Sequence, residues 1–561
     1  MEKPWLNSYE ENVPHDIEVP DMTMFHVFDA AVAGNPEGVA ISYFGKKLTY
    51  RELGQLVAQF SRALLRLEVK PGDRVAIMLP NIPQYVVFHF ALMRIGATIV
   101  PTNPLYVERE IKYQLNNSGA SAIITLDRLL PVIQNVKAET GLKNIIVTRV
   151  QQHLPALLKL LSPLRGRNAS VKVERGPGVH FYEDLLTEEF QNDLPEVEVQ
   201  ADDIAIFLYT GGTTGVSKGA VLTHRNLVAN VLQIRAWYTT VAEKQEVVLS
   251  ALPFFHSYGM TACLHHAVNL KSTMVLIPDP RNLKVLLSAV QKERATLFPG
   301  VPTLYVAINN FPEAEKYDLS SIKGCMSGGA ALPLQVARHF EKIAAGRLVE
   351  GYGLSETSPV THINPFLGMR KEGSIGIPVP STRARIVHPA TREPLAVGEV
   401  GELAVHGPQV MQGYWKMEDE TRQVLQNGWL HTGDMARMDE DGYFYIVDRK
   451  KDMIIAGGFN IYPREIEEVL FEHPKILEAA VIGVPDEYRG ETVKAFVVRK
   501  PGQSLTSEEL IGFCKQKLAA FKVPRLVEFR ESLPKSNIGK VLRRVLKEQE
   551  ETKIRKSARS E

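Results

Sequence analysis

Apolar positions along this chain follow two alternating rhythms. Over 50–57 (Tyr-Arg-Glu-Leu-Gly-Gln-Leu-Val) they fall at helical spacing, whereas 74–79 (Arg-Val-Ala-Ile-Met-Leu) and 122–126 (Ala-Ile-Ile-Thr-Leu) are short apolar runs that read as buried strands. The most apolar long window, 86–100, is interrupted by His89 and Arg94. It is shorter than the roughly twenty residues a spanning helix needs, so it predicts a core helix leading into a strand. The same rhythm returns over 247–325, with strands expected at 273–277 and 295–298 and a helix at 282–293. Helices alternating with buried strands imply a largely parallel sheet covered on both faces.

The texture changes after Gly373, where glycines, prolines and pieces such as 401–405 (Gly-Glu-Leu-Ala-Val) predict a β-rich section up to Phe444. The run Asp448-Arg449-Lys450-Lys451-Asp452 then breaks the apolar pattern, as either a solvated turn or an interdomain hinge. Beyond it, helices at 463–472 and 507–517 and strands at 479–483 and 493–498 suffice for an independent α+β domain. The tail past Glu548 is charged, lacks apolar anchors and is expected to fray. The expected fold class is therefore α/β: a large N-terminal body (1–447) of two layered α/β subdomains plus a β-rich section, then a small α+β C-terminal domain (448–561).

Composition narrows the function classes. A chain of 561 residues, 45% hydrophobic and 23% charged, is globular and too long for one core. Lys+Arg (65) and Asp+Glu (64) nearly cancel, leaving +1, so no overall charge favours nucleic acid or an anionic membrane as main partner. Any anion must be bound locally. The three cysteines, Cys263, Cys325 and Cys514, are too scattered for metal-ligand spacing and too few for a disulfide framework, which suits a reducing cytoplasm. The first residues run into acids and prolines, so no secretory signal is expected.

The most informative stretch is the loop Tyr209, Thr210, Gly211, Gly212, Thr213, Thr214, Gly215, Val216, Ser217, Lys218, Gly219, entered from the apolar run 204–208. Glycines let backbone amides approach an anion, hydroxyls add donors, and the lysine adds a mobile positive charge. This composition cradles phosphate, yet no Gly-Lys-Ser/Thr follows at the Walker spacing, so the P-loop ATPase reading fails.

The loop resembles the signature of the acyl-adenylate-forming superfamily. Further signatures follow in that family's order: Pro253-Phe-Phe-His256, Ser327-Gly328-Gly329-Ala330-Ala331, Glu350-Gly-Tyr352-Gly353-Leu-Ser355-Glu356, Thr432-Gly433-Asp434, Asp448-Arg449, Gly457-Gly458-Phe-Asn-Ile-Tyr-Pro463 and Pro534-Lys-Ser-Asn-Ile-Gly-Lys540. The resemblance implies that Glu356 and Thr213 hold the Mg2+ that accompanies ATP. It implies that Asp434 and Arg449 reach the ribose, and that Tyr352 with Gly328, Gly329 and Ala330 forms the adenine pocket. Lys540 is implied as the catalytic cation at the α-phosphate, withdrawn after adenylation as the small domain rotates about Asp448. Gly457 and Gly458 would line the coenzyme A channel, and His256 with Gly329 would border the acyl group. Arg543 and Arg544, in the basic helix after Lys540, read as solvated charges.

Amino-acid-adenylating relatives place a carboxylate shortly after the Pro-Phe-Phe-His motif, whereas 257–266 here contains none, which disfavours an amino acid. Burial of a fatty chain contributes about 0.8 kcal/mol per methylene, so area alone discriminates chain length shallowly. The resemblance is to bacterial long-chain fatty-acid:CoA ligases, with medium-chain or aryl (coumarate- or benzoate-type) ligation as the alternative. A luciferase-like oxygenase has no positive feature in the sequence, and the loop, Glu356 and Lys540 speak against a fatty-acid binding protein without turnover. The leucine-rich segment 153–167, with Lys159, Arg165 and Arg167, is either a surface helix or a peripheral membrane contact. The resemblance also implies a homodimer.

Overall fold

The computed structural model describes residues 3–161, 175–187, 197–210, 217–449, 452–456, 459–486, 489–536 and 541–557. Four sheets organise the chain. In the nine-stranded sheet, Val39–Tyr43, Thr273–Leu276, Val247–Ser250, Leu297–Gly300, Gly324–Ser327 and Arg347–Gly353 run parallel in that spatial order. The antiparallel strand Lys46–Thr49 closes one edge, and Val360–Ile363 with Ile377–Pro378 the other. In the eight-stranded sheet, Ile204–Thr210, Thr98–Pro101, Arg74–Met78, Ala122–Leu126, Asn144–Thr148 and Val179–Phe181 are parallel. The antiparallel Lys218–Thr223 and Gly413–Tyr414 extend it. These are the two layered α/β subdomains.

Local chemistry explains the element ends. Thr49 and Glu52 form a capping box that starts the helix Tyr50–Arg66, and Asn282 caps Leu283–Glu293. The helix Pro83–Arg94 is buried from Pro83 through Met93 and leads to Thr98–Pro101, the core helix and strand expected of that window. Leu297–Gly300 begins two residues later than expected. Arg294 adopts a left-handed conformation (φ 51°) that ends the preceding helix, and pairing with the next strand starts at Leu297↔Gly324. Among the described residues, no helix is long and apolar enough to cross a membrane.

The β-rich section is a third sheet, built from Arg383–Val387, Gly401–His406, Trp429–Met438, Leu425–Gln426 and Phe444–Arg449. The last sheet, Ile454–Ala456, Phe459–Ile461, Ile476–Asp486, Gly490–Arg499 and Leu526–Arg530, carries its own apolar clusters, one of them under the helices Pro463–Phe471 and Ser507–Lys515. The strand Phe444–Arg449 pairs with the third sheet through Met435↔Asp448 and Asp434↔Arg449. It therefore carries the third sheet two residues past 447.

The expected fraying after Glu548 is not what the chain does. The helix Arg543–Ser557 continues, because Glu550 reaches Lys494 (2.6 Å) and Lys553 reaches Glu528 (2.9 Å). Ion pairs supply the anchorage that apolar residues do not.

Candidate functional site

Two paired strands flank the expected phosphate loop in sequence. Ile204–Thr210 and Lys218–Thr223 pair in register Tyr209↔Gly219 and Thr210↔Lys218, and the Ser217 hydroxyl donates to the Thr210 carbonyl (2.8 Å). Residues 211–216 lie outside the described residues, so Gly211, Gly212, Thr213, Thr214 and Gly215 have no described geometry. The base of the loop is pinned from the neighbouring helix Glu108–Ser118. Tyr113 donates to the Ser217 carbonyl (2.8 Å), and Tyr209 donates to Asn117 Oδ1 (2.6 Å). A Cβ at Gly219 would lie 3.1 Å from the Tyr209 ring, so a small residue is what lets the two strands close.

Glu356 is brought to this strand pair by a residue that no motif signalled. Tyr414 lies on Gly413–Tyr414, which pairs with Lys218–Thr223 through Tyr414↔Ala220. Its hydroxyl donates to Glu356 Oε1 (2.8 Å), while the Lys218 ammonium sits 5.3 Å from its ring centroid. Burial, then the adjacent Glu356 carboxylate, push the Tyr414 hydroxyl well above the ordinary tyrosine range, so it remains a donor. The Glu356 carbonyl also accepts from Met411 N (2.8 Å). Lys218, Tyr414 and Glu356 thus form one polar line beside the loop. Among the described residues, no three His, Cys, Asp or Glu side chains cluster as a metal site. A hard cation placed at Glu356 would need oxygen ligands brought by a phosphate-bearing partner and water.

A second group stands at the carboxyl end of Arg347–Gly353. The Tyr352 hydroxyl donates to Asp434 Oδ2 (2.6 Å), and Asp434 is cross-strand from Arg449. The part of strand Trp429–Met438 that presents Asp434 is held by Gly433 N donating to Glu402 Oε1 (3.0 Å) and by Asp434 N donating to Thr432 Oγ1 (3.1 Å). Gly328 follows the strand Gly324–Ser327 and packs so tightly that a Cβ would lie 3.0 Å from the Tyr258 ring; Gly329 (φ 81°) and Ala330 are exposed beyond it. At Gly353 a Cβ would collide with the Pro359 carbonyl oxygen at 1.9 Å, so that strand end requires glycine. Ser355 Oγ lies 3.2 Å from Ser257 Oγ, linking this region to the segment after His256.

His256 caps the short helix Ser257–Gly259, its Nδ1 accepting from Tyr258 N (3.3 Å). A π-helical stretch, Met260–His265, follows; such stretches often mark functional sites. Within it His265 faces His89 (Nε2 to Nε2, 2.8 Å), and burial lowers the His265 pKa to about 3, which keeps the pair neutral. Glu350 lies just upstream of Tyr352. It accepts from Leu332 N (3.3 Å) and approaches Arg464 of the last sheet's layer at 3.9 Å; burial raises its pKa to about 7.

Asp448 is only 3% exposed, so the solvated-turn alternative fails there. Its carboxylate accepts from Arg464 N (2.8 Å) and from Arg543 Nη1 (2.9 Å). Arg543 is therefore not the solvated charge that its basic helix suggested: Glu467 and Asp452 surround it too. Arg544 is exposed and pairs with Glu548 (2.9 Å), as a solvated charge does. Gly457, Gly458 and Lys540 lie outside the described residues, as does the segment 162–174 that holds Arg165 and Arg167.

Against known proteins, residues 28–415 match the family of AMP-binding enzymes and 465–540 match the AMP-binding enzyme C-terminal domain. A long-chain-fatty-acid–CoA ligase of Bacillus subtilis (strain 168) is 47% identical over 552 residues, covering 98% of each chain. Among solved structures, an anthranilate CoA ligase, AuaEII, in complex with anthranoyl-AMP superposes with a TM-score of 0.83 at 25% identity, covering 95% of this chain and 98% of that one. MatB from Rhodopseudomonas palustris, 29% identical and covering 94% of this chain and 99% of its own, superposes with a TM-score of 0.79 when ATP-bound and 0.69 when apo. The family order of the motifs and the match over most of the chain agree: the chain belongs to the AMP-binding enzymes.

Proposed function

We propose that the protein ligates long-chain fatty acids to coenzyme A, with ATP cleaved to AMP and pyrophosphate through an acyl-adenylate. The carrying observation is 47% identity, end to end, to a ligase of that activity. The geometry supports it, with a phosphate-type hairpin beside Glu356 and the Tyr352–Asp434 pair at the next strand's end.

In the first step a carboxylate oxygen of the acid attacks the α-phosphorus of ATP, the bond to the β-phosphate oxygen breaks, and pyrophosphate leaves. Negative charge accumulates at the α-phosphate, and Lys540 is the cation assigned to stabilise it. The amides and hydroxyls of 210–215 with Lys218 and Gly219 hold the departing pyrophosphate. Asp434 and Arg449 orient the ribose, and Tyr352 with Gly328, Gly329, Ala330, Gly353 and Ser355 shapes the adenine site. Mg2+, held by Glu356 and Thr213 with phosphate oxygens and water, would neutralise phosphate charge. Tyr414 orients the Glu356 carboxylate for that task.

In the second step the coenzyme A sulfur, losing its proton, attacks the acyl carbon and AMP departs with the carboxylate oxygen. The C-terminal domain acts as the moving unit in this reading, turning about Asp448 so that Lys540 withdraws and Gly457 and Gly458 border the thiol's path. His256 and the π-helical stretch border the acyl group. A cytoplasmic location with peripheral membrane contact through 153–167, and a homodimeric state, complete the proposal. Unchanged liposome partitioning after replacing Lys159, Arg165 and Arg167 would remove the membrane contact, and a monomeric mass in solution would remove the dimer. The activity itself is tested with a panel of straight-chain and aryl acids, monitoring AMP and thioester. Long-chain acids should give both products, and their failure across the panel overturns the reading.

A further inference from the structure

One half-buried cation joins the hinge to the helix that follows Lys540 in sequence. Arg543 opens the helix Arg543–Ser557 three residues after Lys540. Its guanidinium forks onto Glu467 through Nε (3.1 Å) and Nη2 (2.5 Å), and its Nη1 donates to Asp448 Oδ1 (2.9 Å) and lies 3.6 Å from Asp452 Oδ2. The Arg543 side chain is 18% exposed and that of Asp448 2%. Three carboxylates drawn together out of water repel one another unless a cation sits between them, so the cluster depends on Arg543. Burial works against its charge, yet Glu467, Asp448 and Asp452 hold its pKa above the ordinary arginine value.

The partners fall on two sides of the hinge. Asp448 lies on Phe444–Arg449, registered to the third sheet through Met435↔Asp448, whereas Glu467 lies on Pro463–Phe471, packed on the last sheet. Arg464 reinforces the crossing, its backbone N donating to Asp448 and its Nη1 to the Ile446 carbonyl (2.9 Å). Lys540 precedes Arg543 by three residues, a length of chain that spans at most about 11 Å. The arrangement containing this tie superposes better on the ATP-bound than on the apo form of MatB.

We propose that Arg543 is a positioning residue for the first half-reaction. Its bond to Asp448 holds the small domain against the third sheet for adenylate formation and is released when that domain turns for thioester formation. This rests on the two-step reading above.

The test compares Arg543→Gln, Arg543→Lys, Asp448→Asn and Arg544→Gln with the full-length wild type. It measures pyrophosphate release with a long-chain acid and MgATP, thioester formation from supplied acyl-AMP and coenzyme A, and the thermal midpoint. A misplaced reacting group costs on the order of 100-fold, so Arg543→Gln should lower kcat of the first half-reaction by about that factor with little change in KM for ATP. Thioester formation from acyl-AMP should stay within about threefold. Arg543→Lys should recover part of the loss, Asp448→Asn should fall in the same direction, and Arg544→Gln, exposed and paired with Glu548 on its own helix, should match wild type. Equal losses in both half-reactions, or adenylation within about threefold of wild type, overturn the proposal. If Arg543→Gln does not fold, Arg543→Lys and Asp448→Asn decide by the same ratio. Wild-type enzyme that releases no pyrophosphate with any long-chain acid would instead refute the two-step reading itself.

Discussion

Replacing Tyr414 by Phe tests whether Glu356 works at the nucleotide. The substitution removes one oxygen, the donor that reaches Glu356 Oε1 at 2.8 Å, and keeps the ring over which the Lys218 ammonium sits. A hydrogen bond to a charged group contributes about 1.5–3 kcal/mol, and Glu356 and Tyr414 are half-buried, which places this one toward the lower end of that range. At 1.36 kcal/mol per decade of rate, the expected loss is roughly 10- to 30-fold in kcat/KM for MgATP. The assay is initial pyrophosphate release at saturating fatty acid with MgATP varied, beside the thermal midpoint of the variant. A variant within about twofold of wild type at unchanged stability would show that Glu356 needs no orientation by Tyr414, and the polar line beside the loop would lose its meaning.

Lys540→Ala is expected to abolish most adenylation while sparing thioester formation from supplied acyl-AMP; equal loss in both steps contradicts its assignment. Tyr352→Phe removes the donor that fixes Asp434 and should raise KM for ATP about tenfold with kcat nearly unchanged, since the affected contact is made equally in ground and transition states. Glu350→Gln probes the buried acid near Arg464. Its folded pKa of about 7 lies above the ordinary glutamate value of 4.5, so the folded chain binds the extra proton and this group subtracts stability progressively as pH rises from about 4.5 to 7. The Gln variant should therefore gain on wild type in denaturant unfolding between pH 5 and 8, by an amount on the order of 2–3 kcal/mol. A constant difference across that range would refute the assignment.

The sequence displayed the parallel strands because they are buried on both faces and so read as unbroken apolar runs; Ala122–Leu126 is buried at every position. The glycine-dense segments were equally plain, since at Gly353 the Pro359 carbonyl leaves no room for another residue. What stayed hidden was proximity between distant segments. Val39–Tyr43 pairs with Thr273–Leu276 across more than half of the large body, and local pattern carries no record of that choice. Tyr414 reaches Glu356 across 58 positions and Arg543 reaches Asp448 across 95. On its own helix Arg543 is one cation in a charged stretch, and only the approach of Asp448, Asp452 and Glu467 distinguishes it from Arg544. The tail deceived for a related reason, because ion pairs from Glu550 and Lys553 replace the apolar contacts that periodicity detects.

In the proposed reaction the fatty acid's own oxygen attacks ATP and leaves with AMP. Hexadecanoic acid carrying heavy oxygen in both carboxylate positions, turned over with MgATP and coenzyme A, reads this directly by mass spectrometry of the AMP. One heavy oxygen is expected in the AMP phosphate per thioester formed, and none in pyrophosphate. Thioester accompanied by unlabelled AMP would contradict it.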